Sequence, residues 1–464
     1  MKRYERYKKT GLTWLPEIPQ NWKWLFLSQV AQEQTIRKSA DEMYPILTLT
    51  YGEIKRKKNI NSGLVPANYG TYQMLYKGNI VLRLIDLQND HTSLRTGIVQ
   101  EIGIITSAYT CIVPTENATY LHYLLHSYDT KKVFYGYGGG VRQSIGFKDI
   151  RYLQVPVPPR SEQDQIVRFL DWKVSSINKL ISNYRHQIVL LEEMKQRKID
   201  EAVIKGMRKS VLIHNNDIRW DIDYPEHWQI QRIKESFSFR KGLSITKANL
   251  EETGIAVISY GQVHSKKNSG VALNGDLIRY VNESYLTTSQ NCLVEKGDFI
   301  FADTSEDVTG CGNCAYIDWD DTIFAGYHSI IVHPDGSTNN KYLAYLFKSP
   351  TWRYQIRKKV NGVKVYSITQ KMLKDAFILI PPIGEQEEII RYLDEMCAKI
   401  DVTIKKMKAK IANLQDLKIC LIADTVTGKI DVRSIEIPKY EFVDEDTDAD
   451  NEDDSEEETE EQED

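Results

Sequence analysis

The sequence predicts an α/β (α+β) fold: two pseudo-symmetric globular domains separated by two long antiparallel coiled-coil helices. Three observations lead there. Five motifs recur in the same order in both halves, one apolar helical seam is repeated 223 residues later, and 464 residues are too many for a single core.

The repeated motifs give the domain frame. LPEIPQNW, ending at Trp22, returns as DYPEHW, ending at Trp228; PILTLTYG, ending at Gly52, returns as IAVISYG, ending at Gly261. YKGNIVL around Gly78 returns as EKGDFIF around Gly297, and TYLHYLLHS from Thr119 as KYLAYLFKS from Lys341. PPRSEQDQIVRFLD from Pro158 returns as PPIGEQEEIIRYLD from Pro381. The offset grows from 206 at the tryptophans to 223 at Glu162 and Glu385, so the framework repeats while the loops differ. Within each half, short alternating or apolar runs such as GIVQEIGIIT and YTCIVP, separated by glycine-marked turns, read as strands. A helix follows near YLHYLLHS, and a much longer one closes the half.

Those closing helices carry the clearest periodicity. Ile177, Ile181, Tyr184, Ile188 and Leu191 fall at spacings of 4, 3, 4 and 3, as do Ile400, Ile404, Met407, Ile411 and Leu414. This is an a/d seam. Ser161 and Gly384 are expected at the N-caps, with Asp164 and Glu387 completing capping-box patterns, and Gly206 and Gly428 lie past the ends. One apolar stripe on so long a helix needs a partner. The expectation is that the two helices pair antiparallel and hold the domains apart; the alternative is that each stripe packs on its own domain. The expected boundaries are 1–160 for the first domain, 161–209 for the first helix, 210–383 for the second domain, 384–430 for the second helix and 431–464 for an acidic disordered tail.

Charge is distributed unevenly. The chain is formally −4, but residues 441–464 hold 16 acids and no Lys or Arg, leaving 60 basic against 48 acidic residues before them, a net +12. A basic body suits a polyanionic partner. Six cysteines without framework spacing fit a reducing cytoplasm, and there is no signal peptide pattern or 18-residue apolar run.

Catalytic signatures are missing. No G-x-x-x-x-G-K-[ST] loop or nucleophile elbow occurs, and Gly138–Gly140 reads as a flexible turn. Cys311 and Cys314 form a CxxC with no second pair, and His122 and His126 lack a third ligand, so no metal is expected. Surface chemistry suited to DNA remains. Lys55, Arg56, Lys57 and Lys58 follow the first YG turn, and Lys266 and Lys267 follow the second; each run is either a solvated loop or a phosphate contact. Arg142 with Gln143, and Lys364 with Tyr366, lie in matched loops and could reach base edges or cap local turns. Trp14, Trp22, Trp24 and Trp228 read as core anchors of the repeated entrances, the alternative being base-stacking platforms.

The EIPQNW and YPEHW entrances, the GN and GD turns at Gly78 and Gly297, and the duplicated PP-x-x-EQ before each heptad helix resemble the specificity (S) subunit of type I restriction-modification systems, over residues 10 to 430. The resemblance implies two target-recognition domains, each reading one half of a bipartite double-stranded DNA sequence. It also implies helices that space them and dock two methyltransferase (modification) subunits, with restriction/translocase subunits completing the complex. The chain itself would be non-catalytic, with S-adenosylmethionine, ATP and Mg held by the partners. The acidic tail departs from the family pattern; it is either a solubilising segment or one that competes with DNA or docks a partner.

Overall fold

The computed structural model describes residues 2–34, 36, 44–50, 52–57, 70–87, 94–137, 144–208, 213–214, 220, 222–362 and 364–444. They fall into two compact units, one comprising the described residues up to His186 and from Met407 onward, the other Gln187–Lys406. This division differs from the expected one. The two long helices, Arg160–Lys205 and Ile383–Val426, are not bodies of their own, because the boundary passes through both.

The first unit is built on a four-stranded antiparallel sheet ordered Ala31–Gln34, Thr110–Pro114, Ile80–Leu82, Thr96–Ile98. All three side chains of Ile80–Leu82 are buried, as expected of a central strand covered on both faces. Helix Ala118–Thr130 starts at Asn117, whose side chain accepts from the Tyr120 amide. Strands Lys23–Phe26 and Gln154–Val157 pair antiparallel and bring the chain's entrance beside its exit into the long helix.

The second unit repeats that sheet with the same strand order: Phe237–Lys241, Ser329–Pro334, Phe299–Ala302, Cys314–Tyr316. Helix Asn340–Lys348 follows, again capped by an asparagine, Asn339. Strands Gln229–Arg232 and Phe377–Ile380 make the matching entrance and exit pair. A second four-stranded sheet, ordered Arg279–Val281, Ile255–Ile258, Ile323–Ala325, Leu293–Val294, contains one parallel pair. The first unit has its counterpart in the antiparallel pairs Leu47–Thr50 with Glu53–Arg56 and Gly103–Ile105 with Gln73–Leu75, joined by a parallel bridge from Ile46 to Ile104.

Each unit has its own core. Trp22, Tyr120, Leu124, Phe134 and Phe169 lie in the first, and Phe299, Phe301, Phe347, Trp352 and Leu393 in the second. Within each unit the long helices run antiparallel. In the first, Lys410 sits over the Tyr184 ring at 5.3 Å, while Gln165, nearer the start of its helix, reaches Val432 and Ile435. In the second, Lys195 meets Asp401 at 2.5 Å, and Arg208, beyond the helix end, lies 3.6 Å from Glu388. Ile177, Ile181, Ile188 and Ile400 are buried, and Tyr184, Leu191, Ile404, Met407, Ile411 and Leu414 are half-buried among exposed neighbours.

The helix starts differ from expectation. Both begin one residue earlier, at Arg160 and Ile383, and the Gln163 and Gln386 amides bond the Pro159 and Pro382 carbonyls, so Ser161 and Gly384 already lie in the first turn. Asp164 accepts from the Asn117 side-chain Nδ2 instead of closing a capping box. The PP-x-x-EQ glutamine instead ties the start of the long helix to the N-cap residue of the shorter one. Gln163 donates to the Pro158 carbonyl and accepts from the Asn117 amide; Gln386 does the same with Pro381 and Asn339. The expected tail also begins too early. Val432 is fully buried, Ile435 and Ile437 pack on the first unit's core, and the chain is described to Asp444; the remaining acidic residues, 445–464, lie outside the described residues.

Candidate nucleic-acid interface

The central strand Phe299–Ala302 of the second unit is wholly buried, and the chain leaves it as Asp303-Thr304-Ser305. Three further segments meet this exit. Thr304 and Ser305 pair antiparallel with Ser367 and Tyr366, and the Ile368 amide bonds the Asp303 carbonyl at 2.7 Å, so the Lys364–Tyr366 loop is stitched beside it. His264, at the end of the short helix Tyr260–His264, places Nε2 2.8 Å from the Thr304 carbonyl and Nδ1 3.2 Å from the Asn313 amide nitrogen. Both contacts are satisfied by the neutral Nε2–H tautomer. Exposed Lys266 and Lys267 follow one turn later.

The third segment is Tyr327-His328. The Asp303 amide bonds the His328 carbonyl, and His328 Nδ1 lies 3.2 Å from Asp303 Oδ1, to which Thr304 Oγ1 also donates at 2.8 Å. His328 adopts a left-handed φ of 52°, a conformation a non-glycine residue holds only where its surroundings over-determine it. Those surroundings are Tyr260, edge-on to Tyr327 and His328 at 5.5 Å from each, and Gly326, whose absent Cβ leaves the room that Ser259 fills. The result is a rim of imidazole, phenol and hydroxyl groups gathered at the end of a buried central strand. Such groups donate and accept at base edges and phosphates.

The sequence-selected residues fare unequally. Tyr366 comes to this rim, with Lys364 two residues before it, while Lys266 and Lys267 follow His264 in the chain; Lys267 makes a 3.7 Å contact with Asp276, both side chains being exposed. In the first unit Lys55 and Arg56 lie on a hairpin of Leu47–Thr50 and Glu53–Arg56. Arg56 forms a two-pronged pair with Glu101 at 2.7 and 2.5 Å, which raises its pKa and holds Glu101 below the usual carboxylate range, and Lys55 meets Glu53 at 2.9 Å. Arg56 therefore ties the hairpin to the neighbouring loop. The Lys57 amide extends the same pairing to Ile46, while Lys58, Arg142 and Gln143 lie outside the described residues.

His264, Asp303, Thr304, Asn313, Tyr327 and His328 were not singled out from the sequence as DNA contacts. The only local signal was the Gly-Tyr-His run, Gly326–His328. A shallow groove elsewhere in this unit, lined by Trp220, Arg232, Lys358, Lys359, Gln355, Asp375 and Phe377, adds three cations against one carboxylate.

Other motifs have structural roles. Cys311 and Cys314 are buried in the core, where burial pushes the Cys314 thiol up to about 12. His333 turns to Asp298 at 2.6 Å. His122 and His126 pack on one helix face with ring centroids 6.2 Å apart, and burial pushes them down to about 4 and about 3. Trp22 and Trp228 are buried and donate to Glu162 and Glu385 at 3.1 and 3.0 Å, Trp14 stands edge-on to Tyr128, and Trp24 is partly buried. Among the described residues no group of three His, Cys, Asp or Glu could hold a metal ion, and no helix is long and apolar enough to cross a membrane.

The long helices offer a second kind of surface. Exposed apolar side chains on them include Leu180, Leu417 and Ile419 in the first unit, and Val189, Leu190, Met194 and Val402 in the second.

A family model described as the type I restriction modification DNA specificity domain matches residues 100–188 and 225–413. The chain is 22% identical over 292 residues to the type I restriction enzyme MjaVIII specificity subunit of Methanocaldococcus jannaschii, covering 61% of this chain and 63% of the relative. It is 23% identical over 293 residues to the EcoKI specificity subunit of Escherichia coli K12, covering 60% and 58%. These matches span less than two thirds of either relative. A solved chain, from work on complex assembly and conformational transition of the type I R-M system, superposes with a TM-score of 0.64 at 15% identity, covering 89% of this chain and 99% of that one, a likeness of fold.

Proposed function

Because the chain belongs to the family of type I restriction-modification DNA specificity domains, we propose that it reads a bipartite double-stranded DNA target, one half with each unit, for a methyltransferase and endonuclease complex. In this reading the exposed faces of the long helices dock two modification subunits, and restriction subunits join through them. The chain supplies recognition and no catalytic group. S-adenosylmethionine, ATP and Mg are then held by the partners.

The observation that carries the reading is the rim of the second unit, where Tyr260, His264, Thr304, Tyr327, His328 and Tyr366 converge from four separate segments. Groups fixed to backbone at the end of a buried strand suit base discrimination, which requires donors and acceptors held in place. The lysines beside them suit phosphates, which require only charge. A rival reading, a scaffold that bridges proteins through its helices without DNA, is favoured by no feature of the rim.

Equilibrium binding to target duplex across a salt series separates the two. DNA recognition predicts the logarithm of the affinity falling linearly with log salt, and Lys267→Ala lowering the magnitude of that slope by about 1. His328→Ala is expected to weaken target binding by about ten- to a hundredfold while leaving the slope unchanged. Binding that is absent at low salt would favour the scaffold.

A further inference from the structure

The repeated sheets match residue by residue. Strand Ile80–Leu82 meets Thr96–Ile98 in the register in which Phe299–Ala302 meets Cys314–Tyr316: Leu82 faces Thr96, and Phe301 faces Cys314. One residue on, the Arg83 amide bonds the Arg95 carbonyl at 2.8 Å, and the Ala302 amide bonds the Asn313 carbonyl at 3.3 Å. Arg95 therefore stands where Asn313 stands in the second unit. The chain leaving the central strand carries the same tie in both, from the Ile145 amide to the Leu84 carbonyl at 2.9 Å and from the Ile368 amide to the Asp303 carbonyl at 2.7 Å. Leu84 and Asp303 are counterparts, and so are Ile85 and Thr304.

At that next carbonyl the chemistry differs while the outcome is the same. In the second unit the Thr304 carbonyl accepts from His264, whose other ring nitrogen is held by Asn313. In the first unit the Ile85 carbonyl accepts directly from the Arg95 guanidinium at 2.8 Å. Arg95 also donates to the carbonyls of Arg83 at 3.2 Å and Asp86 at 3.3 Å, and it lies over the Tyr135 ring at 5.6 Å. Its own backbone amide donates to the Asp129 carboxylate at 2.5 Å.

Two features set the Arg83–Asp86 segment apart from an ordinary turn. Arg95 is wholly buried, and a guanidinium removed from water is tolerated only where hydrogen bonds replace its hydration. Asp86 adopts a left-handed φ of 55°, close to the 52° of His328 on the second unit's rim; among the described residues Lys132 is the one other non-glycine with positive φ. The guanidinium thus fixes the backbone of a segment whose Ile85 and Asp86 side chains are only half-buried.

We infer that Arg83–Asp86 is the first unit's base-reading edge and that Arg95 is its positioning residue, setting base preference in the first unit's half-target through the backbone it holds. The inference rests on the rim being the second unit's reading surface. Asp86 is the reading group, its carboxylate accepting from the exocyclic amine of cytosine or adenine. Arg95 acts without touching DNA.

The test is methylation-aware sequencing of DNA from cells expressing the full chain with its modification subunit, comparing Arg95→Lys, Asp86→Gly and the rim variant His328→Ala/Tyr366→Ala. Lysine keeps the charge but loses the fork that spans three carbonyls, and glycine takes the left-handed φ freely while removing the carboxylate. Each is expected to raise methylation of sites altered in one half of the motif by about tenfold or more, that half being the one the rim variant leaves intact. A first unit that had merely unfolded would abolish methylation of the whole motif, so a relaxed half separates positioning from stability. Both halves intact in either variant, or Arg95→Lys relaxing the half that the rim variant relaxes, would overturn the inference while leaving the rim in place. Should Arg95→Lys abolish methylation altogether, Asp86→Gly decides: relaxation of the first unit's half upholds the edge, and its absence overturns it. A rim variant that leaves both halves intact overturns the second unit's rim and, with it, the comparison on which this edge stands.

Discussion

Glu162 and Glu385 perform one task twice: each carboxylate takes the indole N–H of its unit's entrance tryptophan and so fixes the chain start against the long helix. Burial alone would push Glu385 up, but hydrogen bonds from Trp228 and His227 outweigh it and hold the group below its ordinary value. Its contribution is therefore present above the unfolded carboxylate pKa and fades as pH falls through the folded one. His122 and His126 act over a higher window. Both are depressed by burial, so the unfolded chain takes up protons below about 6.5 while the folded one does not until about 4 and about 3. The first unit should lose about 1–2 kcal/mol per histidine between pH 7 and pH 5. Urea unfolding of the first unit at the two pH values checks this, and His126→Leu should flatten the dependence; an unchanged slope would show that these rings are solvated. Gln386 offers a sharper cut. Gln386→Ala leaves the Asn339 amide and the Pro381 carbonyl without their partner and should destabilise the second unit by about 1–3 kcal/mol, read as a lowered Tm.

At the scale of elements, the long helices and the repeat were legible because their signals are local. A 4, 3 spacing needs no knowledge of the fold to be read, and Ile177, Ile181, Ile188 and Ile400 are buried where that spacing places them. The capping was not legible in the same way. A serine three residues before an aspartate matches the capping box, but the helix starts earlier, after two prolines, and the glutamine side chain ties that start to the N-cap residue of the shorter helix. The rim was least legible. His264 and Thr304 are 40 residues apart, and Asp303 meets Ile368 across 65, so no local pattern joins them. The basic run at Lys55–Lys58 shows the converse, a conspicuous signal whose Arg56 is committed to Glu101. The helix ends yield a prediction. Gly206 and Gly428 have φ of +73° and +77°, and a Cβ on them would lie 3.0 Å from the Trp228 ring and 2.4 Å from the Pro19 ring. Gly428→Val should destabilise the first unit by at least about 2 kcal/mol, more than Gly206→Val costs the second, as differential scanning calorimetry of the two variants would show.

For the whole molecule, duplication is the organising fact. Each unit carries the same sheet order, an Asn-capped helix, a tyrosine bonded to a helix-end carbonyl (Tyr120 to Val426, Tyr342 to Val203) and a tyrosine bonded to an early helix aspartate (Tyr123 to Asp171, Tyr345 to Asp394). Each unit therefore uses parts from both long helices, and neither half of the sequence contains a complete unit. Under the proposed reading, helix length sets the spacing of the two half-targets. Inserting a four-residue turn into both helices should lengthen the unread gap of the target without changing either half, as sequencing of the methylated sites would show.

The most direct measurement is methylation-aware sequencing of DNA from cells expressing this chain with its modification subunit, compared with cells lacking this chain and with cells carrying His328→Ala/Tyr366→Ala. The account predicts a split, two-part methylated motif that disappears with the chain, and relaxed preference in one half only when the rim is altered. Methylation that is unchanged when the chain is deleted would contradict the claim that it confers specificity, and a rim variant that left both halves of the motif intact would contradict the assignment of the rim as the reading surface.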